Sequence, residues 1–88
     1  MVVQVQLPSE EIVQMTIDKG DRIQEIFDKI CRRGQLRKYD HSFKIKNLNG
    51  DEIPDVLRMM MMPIEGFLPI SMICVESKGE EVSLYEDV

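Results

Sequence analysis

The sequence predicts an α+β domain in which one main helix packs across a mixed sheet of four to five strands. Three observations predict it: two alternating apolar segments near the start of the chain, one amphipathic helical segment after them, and three further strand-like segments. A chain of 88 residues has room for one core. We therefore expect a single domain over residues 1–88, with residues 78–88 as either a mobile tail or an extra strand.

The first two strands form a predicted hairpin. Residues 2–7 (VVQVQL) and residues 12–17 (IVQMTI) alternate apolar with polar side chains. This period of two is typical of strands with one buried face. The intervening PSEE has the composition of a turn.

The main helix follows the break at DKGD. Its apolar residues keep the i, i+3, i+4, i+7, i+8 spacing that places them on one helical stripe: Ile23, Ile26, Phe27, Ile30 and Cys31. Asp21 is the predicted N-cap, with Gln24 completing a capping box, and Gly34 is predicted to end the helix.

The second half of the chain supplies the remaining strands. Residues 42–48 (SFKIKNL) alternate as a third strand, the Asn-Gly pair at 49–50 predicts a tight turn before a short strand at residues 52–53, and residues 70–76 (ISMICVE) predict the last strand. Residues 55–68 are expected to be a loop with a short helix. This order of elements is that of the β-grasp, or ubiquitin-like, architecture.

The run Met59–Met62 has two interpretations. Methionine repacks easily, so the run could be an adaptable recognition surface, or most of it could fill a gap in the core. Four consecutive side chains cannot all point inward, so we expect at least one to be exposed.

Charge is unevenly distributed. Residues 19–46 hold nine basic and four acidic residues, although the whole chain carries a net charge of −5 and has a pI near 4.8. A basic patch could attract nucleic acid or an anionic membrane. The overall acidity and the scarcity of aromatic residues argue against both, so we expect no nucleic acid and no membrane contact except through a partner.

Catalytic and metal sites are not expected. Cys31 and Cys74 lie in apolar runs, which favours core positions in a reducing, cytoplasmic compartment, and with His41 they supply too few ligands for zinc. The sequence contains no Gly-rich phosphate loop, nucleophile elbow or clustered carboxylates. The apolar run at residues 59–64 is too short to span a bilayer. We expect a non-enzymatic, soluble domain without a cofactor.

Residues 7–36, LPSEEIVQMTIDKGDRIQEIFDKICRRGQL, resemble the Ras-binding domains of Raf kinases and related effectors. The shared features are a Leu-Pro turn, a second strand, a glycine before the helix, a basic helix end, and then glycine and leucine. Similar segments occur in the first lobe of FERM domains and in ubiquitin-like domains of scaffold proteins.

The resemblance implies that the second strand pairs edge to edge with a strand of a small GTPase, while basic residues meet its acidic switch region. The partner-binding residues carried over in this way are Ser9, Glu11, Ile12, Val13, Gln14, Lys29, Arg32 and Arg33. Glu10 and Glu11 stand where the family has polar or basic residues, so they would place like charges against an acidic partner. A GTPase with a different switch region, or a different docking pose, would avoid this.

Two alternatives stay open from the sequence. The cations at the helix end could serve only the helix, through its dipole and through the i,i+4 pairs Glu25–Lys29 and Asp28–Arg32. The domain could also be a scaffold or FERM-lobe-like module that docks inside its parent protein or self-associates, without a GTPase. The first expectation is a monomeric signal-transduction domain that binds a Ras-superfamily GTPase.

Overall fold

The computed structural model describes residues 1–78, which form one main helix and a mixed sheet. The strands are β1 (Val2–Gln6), β2 (Ile12–Thr16), β3 (His41–Asn47) and β4 (Ile70–Ser77), and the helix is α1 (Ile23–Gly34). Short 3₁₀ turns occupy Lys38–Asp40, Val56–Met59 and Ile64–Phe67. The predicted tail or extra strand lies outside the described residues, apart from Lys78.

The sheet has the strand order β2-β1-β4-β3. β1 pairs with β2 and β4 pairs with β3 in antiparallel fashion, while β1 and β4 run parallel in the centre. The predicted short strand at residues 52–53 is reduced to a single bridge between Lys46 and Glu52, beside a 2.8 Å hydrogen bond from the Ile53 amide to the Ile45 carbonyl. The described sheet therefore has four strands, and β2 lies at one edge of it.

A three-residue loop, Pro8 to Glu10, joins β1 to β2. The Leu7 carbonyl accepts from the Glu10 amide at 2.8 Å, and the Leu7 amide donates to the Glu11 carbonyl at 2.9 Å. Glu10 has φ = 72°, the left-handed conformation that follows a type I turn in hairpins of this length. Proline at the first loop position suits the turn because its ring fixes φ near the required value.

The apolar stripe of α1 faces the sheet, as the spacing predicts. All five of its residues are buried: Ile23, Ile26, Phe27, Ile30 and Cys31. The inward side chains of β1, β3 and β4 complete the core, together with Ile17, Val56 and Ile64. The Phe27 and Phe43 rings lie 5.0 Å apart between centroids, which joins the middle of the helix to β3.

The start of α1 is capped by a distant segment instead of by Asp21. Arg22 is the N-cap residue and makes no capping bond with its side chain. The amides of Ile23 and Gln24 donate instead to the carbonyls of Met62 and Met60, at 3.0 and 2.9 Å. The predicted capping box is therefore wrong, because the backbone of the methionine run occupies the place where a local cap would act.

The position of the methionine run against the start of α1 also determines which of its side chains are buried. Met60 packs against the core, Met59 is half-buried, and Met61 and Met62 are exposed. The expectation that at least one of the four is exposed is confirmed. The run takes part in capping through its carbonyls and in packing mainly through one side chain.

Among residues 1–78, no helix is long and apolar enough to span a bilayer.

Candidate functional site

The open edge of β2 is the first component of the site. At its two ends, the Ile17 amide donates to the Met1 carbonyl at 2.8 Å and the Leu7 amide donates to the Glu11 carbonyl at 2.9 Å, so Met1–Ile17 and Leu7–Glu11 are hydrogen-bonded pairs. Hydrogen-bonded pairs alternate along an antiparallel ladder. The residues between them whose amides and carbonyls point away from β1 are therefore Ile12, Gln14 and Thr16.

These outward-facing groups have no strand partner within residues 1–78, and the strand that carries them is uncharged. Ile12 is 53% exposed, and Gln14 and Thr16 are also exposed. Charged side chains or prolines commonly protect such edges from pairing. An unprotected edge next to a tight hairpin is a surface that can accept another strand.

A groove between this edge and the end of α1 is the second component. Its floor is apolar, built from Leu7, Val13 and Leu36, and its walls carry Glu11 on one side and Arg33 on the other. Val13 pairs with the buried Val5, so Val13 and its alternate neighbour Glu11 lie on the helix side of the sheet. The groove therefore lies on the helix side of β2, next to its open edge.

The close approach at the groove floor depends on how α1 ends. Gln35 adopts the left-handed conformation (φ = 54°), and the Leu36 amide donates to the Cys31 carbonyl at 2.8 Å. This is a Schellman termination, which turns Leu36 back toward the helix. A Cβ on Gly34 would lie 3.1 Å from Leu36 Cγ and 3.6 Å from Leu7 Cδ2, so a larger residue would push the floor apart. The helix ends at Gly34, as the sequence predicts, but the residue that takes the left-handed conformation is Gln35 and not the glycine.

The predicted partner-binding residues fall into three groups. Ser9, Glu11, Val13 and Arg33 line the groove. Ile12 and Gln14 lie on the other face of β2, with their backbone groups on the open edge. Arg32 lines a neighbouring depression with Asp28 and Lys38, and Lys29 lines neither. The structure therefore brings Arg33 and the hairpin together but places Lys29 elsewhere.

Lys29 is held by an aspartate at the start of the helix. Its Nζ lies 3.3 Å from Asp21 Oδ2, so the predicted pair with Glu25 does not form in the described structure. Asp28 likewise pairs with Lys38, at 2.8 Å, instead of with Arg32. Arg32 and Arg33 are exposed and have no acidic partner within residues 1–78. They are the cations at the helix end that stay available to a partner.

Ion pairs also neutralise much of the wider basic region. Lys44 Nζ lies 3.2 Å from Glu76 Oε2, and this hydrogen bond raises the pKa of Lys44. Arg37 Nε lies 3.6 Å from Asp40 Oδ2. The positive surface of the described residues is therefore narrower than the sequence suggests, and Arg32 and Arg33 are two adjacent unpaired cations at the end of α1.

The titratable groups of the described residues give no indication of an assembled catalytic or metal centre. Residues 1–78 contain no group of three His, Cys, Asp or Glu side chains placed to hold a metal ion. Both cysteines are buried and free, and burial raises the pKa of the Cys31 thiol, which disfavours the reactive thiolate. The arrangement offers surfaces for binding, built from an edge, a groove and two free cations.

Sequence reasoning missed the apolar floor of this site. Leu7 and Leu36 are separated by 29 positions and meet only because the hairpin and the helix end converge. One local signal was available, because an apolar residue just after a helix end commonly accompanies a Schellman termination.

The Asp21–Lys29 contact predicts a pH dependence of stability. The hydrogen bond from the Asp18 amide at 3.0 Å, and then that from Lys29, hold the pKa of Asp21 below its ordinary value of 3.8. The folded carboxyl binds protons more weakly than the unfolded one, so this stabilisation is present above pH 3.8 and is lost as the pH falls below it toward the lowered pKa. In Asp21→Asn, thermal melts should show a shallower loss of stability below about pH 4 than in the parent.

Asp51→Asn removes an exposed carboxylate at a turn and is the matched control. If Asp21→Asn and the parent lose stability in parallel on acidification, Asp21 makes no contribution of this kind.

Comparisons with known proteins identify the fold. No protein-family model matches the sequence, and no curated protein matches it significantly. Among solved structures, the chain is similar to the C-terminal ubiquitin-like domain of mouse tubulin-specific chaperone e, with a TM-score of 0.67, 12% identity, and coverage of 88% of this chain and 84% of that one.

It is also similar to a computationally designed protein based on human erythrocytic ubiquitin, with a TM-score of 0.60, 22% identity, and coverage of 88% and 90%. At these identities the likeness concerns the fold alone. The open β2 edge and the basic end of α1 are therefore carried by an α+β domain with the ubiquitin-like β-grasp fold.

Proposed function

We propose that this domain binds a Ras-superfamily small GTPase in its GTP-bound state, as a recruiting or regulatory part of a larger signalling protein. The observation that carries the proposal is the unpaired edge of β2 beside the free Arg33, with a second free arginine, Arg32, in the neighbouring depression. The edge can add a strand of the GTPase to the sheet, and the arginines can meet acidic residues of its switch region. The resemblance of residues 7–36 to the Ras-binding domains of Raf kinases supports the same mode.

The ubiquitin-like fold supports the broader part of the proposal, a non-catalytic interaction module. In such a module the sheet and helix hold the binding surface rigidly, and affinity comes from backbone pairing plus a few charged contacts. Lys29 contributes less than the resemblance implies, because its ammonium is already paired with Asp21. Arg33 contributes most among the basic residues, because it lies on the groove next to β2.

The test is a pull-down of a panel of Ras-superfamily GTPases, each loaded with GDP or with a non-hydrolysable GTP analogue. We expect capture of the GTP-loaded form of at least one GTPase. Titration calorimetry with that GTPase should show that Arg33→Glu weakens binding by about tenfold or more, since like charges across an interface cost several kcal/mol.

Arg58→Glu is the control, because Arg58 is exposed in the 3₁₀ turn Val56–Met59 and has no acidic partner in the described structure. It should bind like the parent. Capture that does not depend on the nucleotide, or equal affinities for the two variants, would contradict the proposal.

The second candidate is a scaffold module that docks within its own parent protein or self-associates. The uncharged edge of β2 favours it as well, because such an edge can pair with any compatible strand. Light scattering over a range of concentrations distinguishes the two, since self-association raises the mass with concentration in the absence of any GTPase.

A further inference from the structure

The groove beside β2 constrains the chemistry of the strand that joins this edge. An added strand lies about 4.8 Å from β2, and its alternate side chains fall on the same face as Glu11 and Val13. This is the face that carries the groove. The partner side chains on this face that lie beside Glu11 and Val13 are therefore directed to the groove, where they meet its apolar floor or one of its charged walls.

The two walls carry opposite charges that are both unsatisfied. Glu11 and Arg33 line the same groove, yet neither forms an ion pair, with the other or with any residue in positions 1–78. Glu10 and Glu11 add two negative charges at the hairpin end of β2. A uniformly acidic strand would satisfy Arg33 but would bring like charges against the glutamates, and a uniformly basic strand would do the reverse.

We infer that the partner of this site presents an extended strand of mixed charge, with an apolar side chain over the floor of Leu7, Val13 and Leu36, a basic side chain toward Glu11 and an acidic side chain toward Arg33. The inference rests on the proposed function for the place of binding and goes beyond it in stating which partners are selected. GTPases whose pairing strand and flanking switch carry only acidic side chains are poor partners. Those with a basic residue facing the hairpin are preferred.

A random-peptide phage library tests this selectivity without a GTPase. The immobilised 88-residue chain should enrich peptides that place an apolar residue between a basic and an acidic one. Selection on Glu11→Lys should lose the preference for the basic residue and keep the acidic one, and selection on Arg33→Glu should do the opposite. Arg58→Glu should reproduce the selection of the parent.

A fluorescently labelled peptide chosen on the parent gives the quantitative measure. In anisotropy titrations, Glu11→Lys should weaken its binding about tenfold or more, and Glu11→Gln by a smaller factor. The Glu11 side chain is exposed and forms no hydrogen bond within residues 1–78, so circular dichroism should show both variants folded.

Enrichment of purely acidic peptides, enrichment without a charge preference, no enrichment at all, or equal selection by Glu11→Lys and the parent would each overturn the inference. These outcomes are distinguishable from failure of the proposed function. If the pull-down is GTP-dependent and any of these outcomes is also found, the domain binds a GTPase but does not select strands of mixed charge. If the expected peptides are selected but no GTPase is captured, the site selects strands of mixed charge but its partner is not a GTPase.

Discussion

Replacing Phe27 with alanine is expected to lower the free energy of unfolding by about 3–5 kcal/mol. The ring is 5% exposed, lies 5.0 Å from the Phe43 ring between centroids, and has Lys38 Nζ 5.7 Å from its own centroid. Alanine would leave a cavity between α1 and β3, where the helix and sheet are held apart by neighbouring side chains. Small domains are stable by roughly 5–15 kcal/mol in total, so the loss is a large part of the whole.

Urea unfolding followed by circular dichroism measures this change. Phe27→Leu is the matched control, because leucine fills most of the same volume and should lose about half as much stability or less. An alanine variant within about 1 kcal/mol of the parent would show that the helix repacks onto the sheet without this ring.

Replacing Gln14 with proline is expected to abolish strand addition while leaving the fold in place. The Gln14 amide points away from β1, so proline removes an outward donor without breaking the β1–β2 ladder, a position that edge strands tolerate. The partner strand would lose a backbone hydrogen bond worth about 1 kcal/mol and would meet the proline ring. Together these effects should weaken binding to the GTP-loaded partner by about tenfold or more.

Gln14→Ala is the control, because it removes the side chain and keeps the amide. Calorimetry should find it close to the parent, and circular dichroism should show both variants folded. Equal affinities for the proline and alanine variants would mean that the partner does not pair with this edge.

The fold is predictable from the sequence because its signals are local. Five apolar positions at helical spacing define the stripe of α1, and β1, β2 and β3 correspond to short alternating segments. The misassigned details are those in which a distant segment replaces a local interaction. Asp21 fails as an N-cap because the carbonyls of Met60 and Met62 reach the first amides of the helix.

The candidate site is less predictable because it depends on sheet order and long-range ion pairs. The central place of β1, which leaves β2 at the edge, follows from its parallel pairing with β4 at the far end of the described chain. The neutralisation of Lys44 needs Glu76, and that of Lys38 needs Asp28. Composition shows how many cations there are, and only the packing shows that Arg32 and Arg33 are left without acidic partners in the described residues.

The capping of α1 by the methionine run has a consequence for synthesis on the ribosome. The first amides of the helix emerge 36 and 39 residues before the carbonyls to which they donate, and the separation between β1 and its partner β4 is longer still. Until then the first amides of the helix and one side of β1 are exposed to water or to other nascent chains. Because these long loops must close before the long-range contacts can form, we expect the cooperative fold to form only after β4 has left the exit tunnel.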